Sequence, residues 1–166
     1  ARNNYIDVIL DRNEFNALNF IEKHQKYPLP QDDIVKAIKL LEIQRQALLM
    51  YTSCGWFFCE VSGIETVQIL KYAARAIQLA QEFVDYDIET KFTDILANAQ
   101  SNIIELGTAK EIYHKWVKPS VVDVRQLISH WAITSLYKNY ENETDLYCWS
   151  LKKKDYRSNK KGRTDL

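Results

Sequence analysis

Along most of this chain apolar residues recur three to four positions apart with polar residues between them, which is the pattern of amphipathic helices. Tyr5, Ile6, Ile9 and Leu10, then Phe15, Leu18, Phe20 and Ile21, fit that period to about Lys26, with an interruption near Asp11. The segment YPLPQDD, Tyr27 to Asp33, ends the run, because Pro28 and Pro30 each remove a backbone donor and crowd the preceding turn. A second helix is expected to start at Asp32 or Asp33. It carries Ile34, Ile38, Leu41 and Leu48 on one long face, with Arg45 breaking into the stripe.

A third helix is expected from Ser62-Gly63-Ile64-Glu65, which reads as a capping box. Its core face is Val67, Leu70, Ala74, Ile77 and Ala80. A fourth is expected from about Asp87 to Leu106, with Phe92, Leu96, Ala99 and Ile103 inward and Gly107 as its C-cap. Thr108-Ala109-Lys110-Glu111 is another capping box, opening a short helix to about Val117 before Pro119 breaks the chain. Ser120-Val121-Val122-Asp123 opens the last helix, with Val124, Leu127, Trp131, Ile133 and Tyr137 on or near its apolar face.

After YKNYENET the pattern changes. DLYCWSLKKKDYR partly alternates, and Lys160-Lys161-Gly162 reads as a turn region, so strands are expected here. The fold expected is mainly α: an antiparallel helical bundle of about five to six helices with a short β-hairpin or strand tail at the C-terminus. The bundle is assigned to residues 1–142 and the tail to 143–166, the start of a further β region. The opening ARNNYIDVIL lacks an initiator Met and the end stops as strands begin, so both ends read as cut from a longer protein.

One stretch departs from this regularity. In TSCGWFFCE, Gly55 is followed by Trp56, Phe57 and Phe58, with Cys54 and Cys59 on either side. A Gly inside a helix costs about 1 kcal/mol relative to Ala, so either a neighbouring backbone approaches closely or the helix ends there. Three consecutive rings fan over about 200° of a helical wheel and cannot share one narrow stripe. Two readings follow: a two-sided core segment with a buried Trp, or an aromatic platform for a ligand with Glu60 or Glu65 beside it as acceptor. Sugars suit such a platform, since their C–H faces pack on rings while their hydroxyls need carboxylates and amides. Glu65 has a competing task in the capping box.

Other polar residues read as structural. Glu42 and Arg45 are three apart and can pair across a helix surface, as can Tyr72 and Arg75. Ser101 and Asn102, in NAQSN, read as backbone partners near a helix end, and Asp123 and Arg125 as a cap and its decoration.

Composition narrows the function classes. The 166 residues are 46% hydrophobic, enough for a real core. Lys+Arg and Asp+Glu balance at 22 each, which gives no general electrostatic reason to bind nucleic acid or an anionic membrane. Only the run Lys152 to Arg163 is strongly basic, and it reads as a solvated tail. No apolar run reaches the ~18 residues of a membrane span. Cys54, Cys59 and Cys148 lack CxxC spacing and read as reduced thiols of a cytoplasmic protein. His24, His114 and His130 are scattered over different predicted helices and read as separate groups, not as metal ligands. The chain contains no GxGxxG, P-loop, HExxH or GxSxG motif, and neither a metal nor a cofactor is expected.

The stretch LLEIQRQALLMYTSCGWFFCEVSGIETVQILKYAARAIQLA, with NAQSN and VKPSVVDVRQLISHWAITSLY, resembles a bacterial and archaeal family, domain of unknown function 3536. The resemblance runs from about Tyr5 to Tyr137, with TSCGWFF as its most specific part. It implies a domain that follows a catalytic barrel similar to glycoside hydrolase family 57, a group of retaining, α-amylase-like enzymes active on α-glucans. Ser53 to Phe58 resembles a segment, similar to SDWPF or SDWFW, that supplies an aromatic wall of the cleft in those enzymes. Gly55 replaces its acidic residue, and Cys59 stands where the domain family carries an acid, with Glu60 next.

The expected function is therefore that of a helical accessory domain completing or supporting the α-glucan cleft of an N-terminal catalytic barrel absent from this chain. The alternative is a structural or protein-interaction module that touches no sugar. Trp56, Phe57, Phe58 and Glu60 are the candidate substrate-binding residues. The catalytic carboxylates would belong to the barrel, so no residue here is assigned a catalytic role.

Overall fold

A computed structural model describes residues 1–146 and 149–155. The expected Lys160-Lys161-Gly162 turn, Cys148 and much of the basic run fall outside the described residues. The described chain is mainly α, with one short two-stranded antiparallel sheet near its C-terminal end. It divides into two compact units, Ala1–Val121 and a second beginning at Val122.

In the first unit, helix α1 (Tyr5–Leu10) and helix α2 (Glu14–His24) are separate, and the break falls at Asp11 as the pattern predicted. Asn13 caps α2 by accepting from the Asn16 N–H. Helix α3 (Gln31–Leu49) begins one or two residues earlier than expected, directly after Pro30. Tyr5, Val8, Phe20 and Ile21 form a buried cluster against which Ile34, Ile38 and Leu41 of α3 pack. Leu48 does not join that face; it is exposed.

A polar knot fastens the first hairpin to α3. The Tyr5 hydroxyl donates to Glu42 Oε1 at 2.7 Å and Arg12 Nη2 donates to the same oxygen at 2.9 Å. Arg45 completes the expected pair, donating to Glu42 Oε2 at 3.0 Å. Burial pushes the Glu42 carboxyl up, but the bonds from Arg45, Tyr5 and Arg12 outweigh it and hold the group below its usual range.

Helix α4 (Ile64–Ala80) packs along α3. The expected Ser62 capping box does not form: Gly63 occupies the N-cap without a side-chain bond, and the Ser62 N–H donates instead to the Glu60 carboxylate. Val67, Leu70 and Ala74 are buried as predicted. Arg75 donates to Gln78 Oε1, so the expected Tyr72–Arg75 pair gives way to another i,i+3 contact.

Helix α5 runs only from Ile88 to Leu96, capped by Asp87. The sequence pattern carried it on to Leu106. Instead the chain turns after Leu96 and doubles back, with Ser101 N–H bonding Gly107 O and Ala109 N–H bonding Ala99 O. These cross-loop bonds satisfy backbone groups that a longer helix would have paired internally. Gly107 sits at φ 70°, and a Cβ there would lie 2.0 Å from Glu111 Oε2.

Helix α6 (Ala109–Ile112) opens with the predicted Thr108–Glu111 capping box. It widens into a π turn over Tyr113–Val117. Ile112, Tyr113 and Val117 are the largest fully buried side chains and close the core against α4, with Phe92 and Leu96 packed on it.

In the second unit, helix α7 (Val124–Thr134) is opened by a capping box between Asp123 and Gln126. Ser120 takes no part in it and bonds the Val117 carbonyl. The apolar face read for α7 is largely exposed: Leu127 is buried, whereas Val124, Ile133 and Tyr137 are open to solvent. Strands β1 (Glu143–Leu146) and β2 (Trp149–Lys152) pair antiparallel, with Thr144 opposite Leu151. Lys153 ties this hairpin to α7, donating to Tyr140 O at 3.1 Å and lying 5.9 Å from the Trp131 ring centre. No helix among the described residues is long and apolar enough to cross a membrane.

Candidate functional site

The segment between α3 and α4 is built around a glycine. Helix α3 stops at Leu49, and Ser53–Gly55 forms a single 3-10 turn. The Thr52 hydroxyl donates back to Leu49 O at 2.9 Å, and Phe57 N–H bonds Ser53 O at 2.8 Å, which folds the chain over on itself. Gly55 lies inside that fold. A Cβ there would be 3.2 Å from Met50 O and 3.3 Å from Ile69 Cγ1, so the close approach inferred from the Gly is real.

The turn holds three adjacent rings at the surface. Trp56 is 71% exposed, Phe57 69% and Phe58 48%, which overturns the buried-Trp reading for this chain. Phe57 and Phe58 meet edge to face, 5.1 Å between centres. Tyr51, two residues past the end of α3, is also exposed. A cluster of large exposed rings on an ordered turn marks a surface suited to contact something else.

Glu60 anchors the far end of the turn. Its Oε1 accepts from the Ser62 N–H at 2.8 Å and from the Ser101 hydroxyl at 2.7 Å. Its Oε2 accepts from the Asn102 N–H at 2.8 Å. Beside it, Asn102 Nδ2 donates to Cys59 O at 2.9 Å, and the Thr66 hydroxyl donates to Glu60 O at 3.1 Å. The bond from Ser101, followed by those from Ser62 and Asn102, pulls the Glu60 carboxyl down to about 2.

The four expected site residues thus lie on one short turn, but with different surroundings: three rings open to solvent and one carboxylate engaged by protein donors. Ser101 and Asn102 were expected to partner a nearby helix end. The structure pairs them with Cys59 and Glu60, some forty positions earlier in the chain. The polar loop NAQSN was visible in the sequence, but its distant partner was not. Glu65 is not drawn into a capping box at Ser62.

Other candidate groups do not converge. Among the described residues no three His, Cys, Asp or Glu side chains are arranged to hold a metal ion. His24 packs on Phe20 with the rings tilted and their centres 4.8 Å apart; its Nε2 is buried and unpartnered, and burial lowers its pKa. Cys54 and Cys59 are free thiols. A groove of about 480 Å³ beside Ile77, Asp85 and Val121 is rimmed by Asp87, Glu89 and Lys118. Those three are already committed, Asp87 to Thr90, and Glu89 to Tyr113 and Lys118.

Residues 1–166 match the family described as Domain of unknown function (DUF3536). No curated protein and no solved structure matches the chain.

Proposed function

The chain belongs to the DUF3536 family, and on that premise we propose that it is a helical accessory domain of a glycoside hydrolase family 57-like protein. It completes or supports the α-glucan cleft of a catalytic barrel, and Trp56, Phe57 and Phe58 form the apolar wall it contributes. The observation that carries this reading is the exposure of three consecutive rings on a turn fixed at both ends, at Gly55 by close packing and at Glu60 by hydrogen bonds. Rings that are about half exposed or more, yet sit on a well-anchored backbone, are arranged to meet a flat apolar partner such as a sugar face.

The test is Trp56→Ala in the full-length polypeptide. Turnover of a soluble α-glucan is expected to fall by about tenfold or more, equivalent to ~1.4 kcal/mol of lost binding, with the unfolding midpoint unchanged. Unchanged turnover by a folded variant would remove the claim.

A second reading has its own support. All the Glu60 bonds described above go to protein donors, which leaves that carboxylate little capacity for a sugar hydroxyl. A turn of that kind also suits docking against another protein surface with no sugar contact. In that case Trp56→Ala weakens association of the helical domain with its neighbour, while the KM of any remaining turnover is unchanged.

A further inference from the structure

Glu60 was the polar group expected to meet a ligand beside the rings. Its surroundings give it a different task. Oε1 faces the Ser62 N–H and the Ser101 hydroxyl, and Oε2 faces the Asn102 N–H, all within 2.8 Å. Ser101 is itself buried at 4% exposure, and its hydroxyl oxygen also accepts from the Ile103 N–H at 3.0 Å. The Asn102 amide adds a second tie to the backbone carbonyl of Cys59. The chain therefore crosses from the Trp56 turn to the 98–107 loop through one carboxylate and one amide. A carboxylate surrounded by protein donors forms short, charge-assisted bonds and has little capacity left for sugar hydroxyls.

We propose that Glu60 is a positioning residue for the aromatic turn, holding Trp56, Phe57 and Phe58 in one pre-formed arrangement through Ser101 and Asn102, and that it makes no contact with the ligand. This rests on the reading of the rings as a recognition surface. Holding the turn before binding removes the ordering cost that a loose, ring-bearing loop would meet on contact. The close fit of Gly55 fixes one end of the segment and the Glu60 latch fixes the other.

The two oxygens of Glu60 are not equivalent, and that makes the inference sharp. Gln at position 60 keeps one carbonyl oxygen for Ser62 and Ser101 but presents an NH₂ to the Asn102 N–H, so it restores part of the latch. Ala restores none. Ser101→Ala removes one donor at a site away from the rings.

The experiment uses the full-length polypeptide labelled with 5-fluorotryptophan, the Trp56 resonance being assigned by its loss in Trp56→Phe. Turnover of maltoheptaose is followed alongside. In Glu60→Ala the Trp56 line is expected to move and change width, with KM raised about fivefold and kcat within about twofold, the mark of lost uniform binding. Glu60→Gln and Ser101→Ala shift both readouts the same way by less, and they keep the test open if the Ala variant fails to fold. An unmoved Trp56 line across all three variants overturns the latch. A raised KM in Glu60→Ala with an unmoved line also overturns it, because Glu60 would then touch the sugar itself. A shifted line in Glu60→Ala, with turnover unaffected by Trp56→Ala, supports the latch and removes the glucan reading alone.

Discussion

Tyr113 and Trp56 are both large aromatic residues at places where regular α-helix gives out, and they end in opposite environments. Tyr113 opens a π turn and is 0% exposed; Trp56 follows a 3-10 turn and is 71% exposed. The Tyr113 ring packs edge to face with Phe92, and its hydroxyl donates to Glu89 at 2.8 Å. Facing helices supply both an apolar surface and a polar partner, so burial holds that ring. Trp56 is mostly open to solvent, and what is fixed there is the backbone beneath it, by Gly55 and Glu60. The difference separates two ways of placing an aromatic residue: through its side chain in the core, and through its backbone at the surface. Substitutions in the first class should cost stability, and those in the second should cost recognition.

The largest effect is expected in the core. Ile112 is 1% exposed and lies beside Tyr113. Ile112→Ala should lower stability by about 3 kcal/mol through lost apolar contact and the cavity left behind. Urea unfolding measures it, and a loss of less than about 1 kcal/mol would mean that this cluster does not carry the fold.

Gly55→Ala tests the surface class at its backbone. The new methyl group would press on Met50 O and Ile69 Cγ1, at 3.2 and 3.3 Å, and should cost about 1–2 kcal/mol as overpacking. The same variant should shift the assigned 5-fluorotryptophan line of Trp56, whereas Ile112→Ala at a temperature where it stays folded should not. A shift of that line in both would erase the distinction. Within the core, Tyr113→Phe should cost about 1 kcal/mol by removing the bond to Glu89. Burial and that bond both raise the Tyr113 pKa, so the phenol remains a donor across the ordinary pH range.

How much of this was legible follows the same division. Breaks written by local chemistry were readable: the stop at Asp11, the two prolines, the Thr108–Glu111 box and the Glu42–Arg45 pair. So was the close approach at Gly55, because Gly beside three rings needs a steric reason. What escaped was decided between distant segments. Ser62 has the residue three positions before Glu65 that a capping box requires, yet Glu60 captures its N–H and is itself held by Ser101 and Asn102. Helix α5 stops at Leu96 because residues 99–109 pair across a loop, a preference that no helical period shows. Leu48 and Ile133 fit apolar stripes, but Leu48 lies open near the end of α3 and Ile133 lies open on α7. Periodicity reports which face of a helix is apolar, not how far its partner extends.

The Glu60 latch gives a pH test of the surface class. Its carboxyl is held at about 2, below the 4.5 of an unperturbed group, first by the Ser101 hydroxyl and then by Ser62 and Asn102. A depressed folded-state pKa contributes stability that is full above about pH 4.5 and is lost as pH falls toward about 2. The difference in unfolding midpoint between the native chain and Glu60→Gln should therefore be constant from pH 7 to about 5 and shrink below that. Glu42 and Glu89 are also held low, but they are common to both proteins and cancel in the difference. A gap that stays constant to pH 2.5 would mean that the latch does not depend on the Glu60 charge.

The smallest expected effect on stability is the one that separates the classes most cleanly. Trp56→Ala removes the largest side chain of the turn and should leave the unfolding free energy within about 0.5 kcal/mol, because the ring is exposed and its backbone bonds remain. The corresponding change at Tyr113 removes a fully buried ring and should cost about 3–5 kcal/mol. If Trp56→Ala destabilised the protein by 2 kcal/mol or more, the ring would have to be covered in the folded protein in solution, and the surface would already be occupied. A value near zero, beside a loss of turnover in the full-length polypeptide, would mean that the sequence retains three adjacent rings for contact and not for folding.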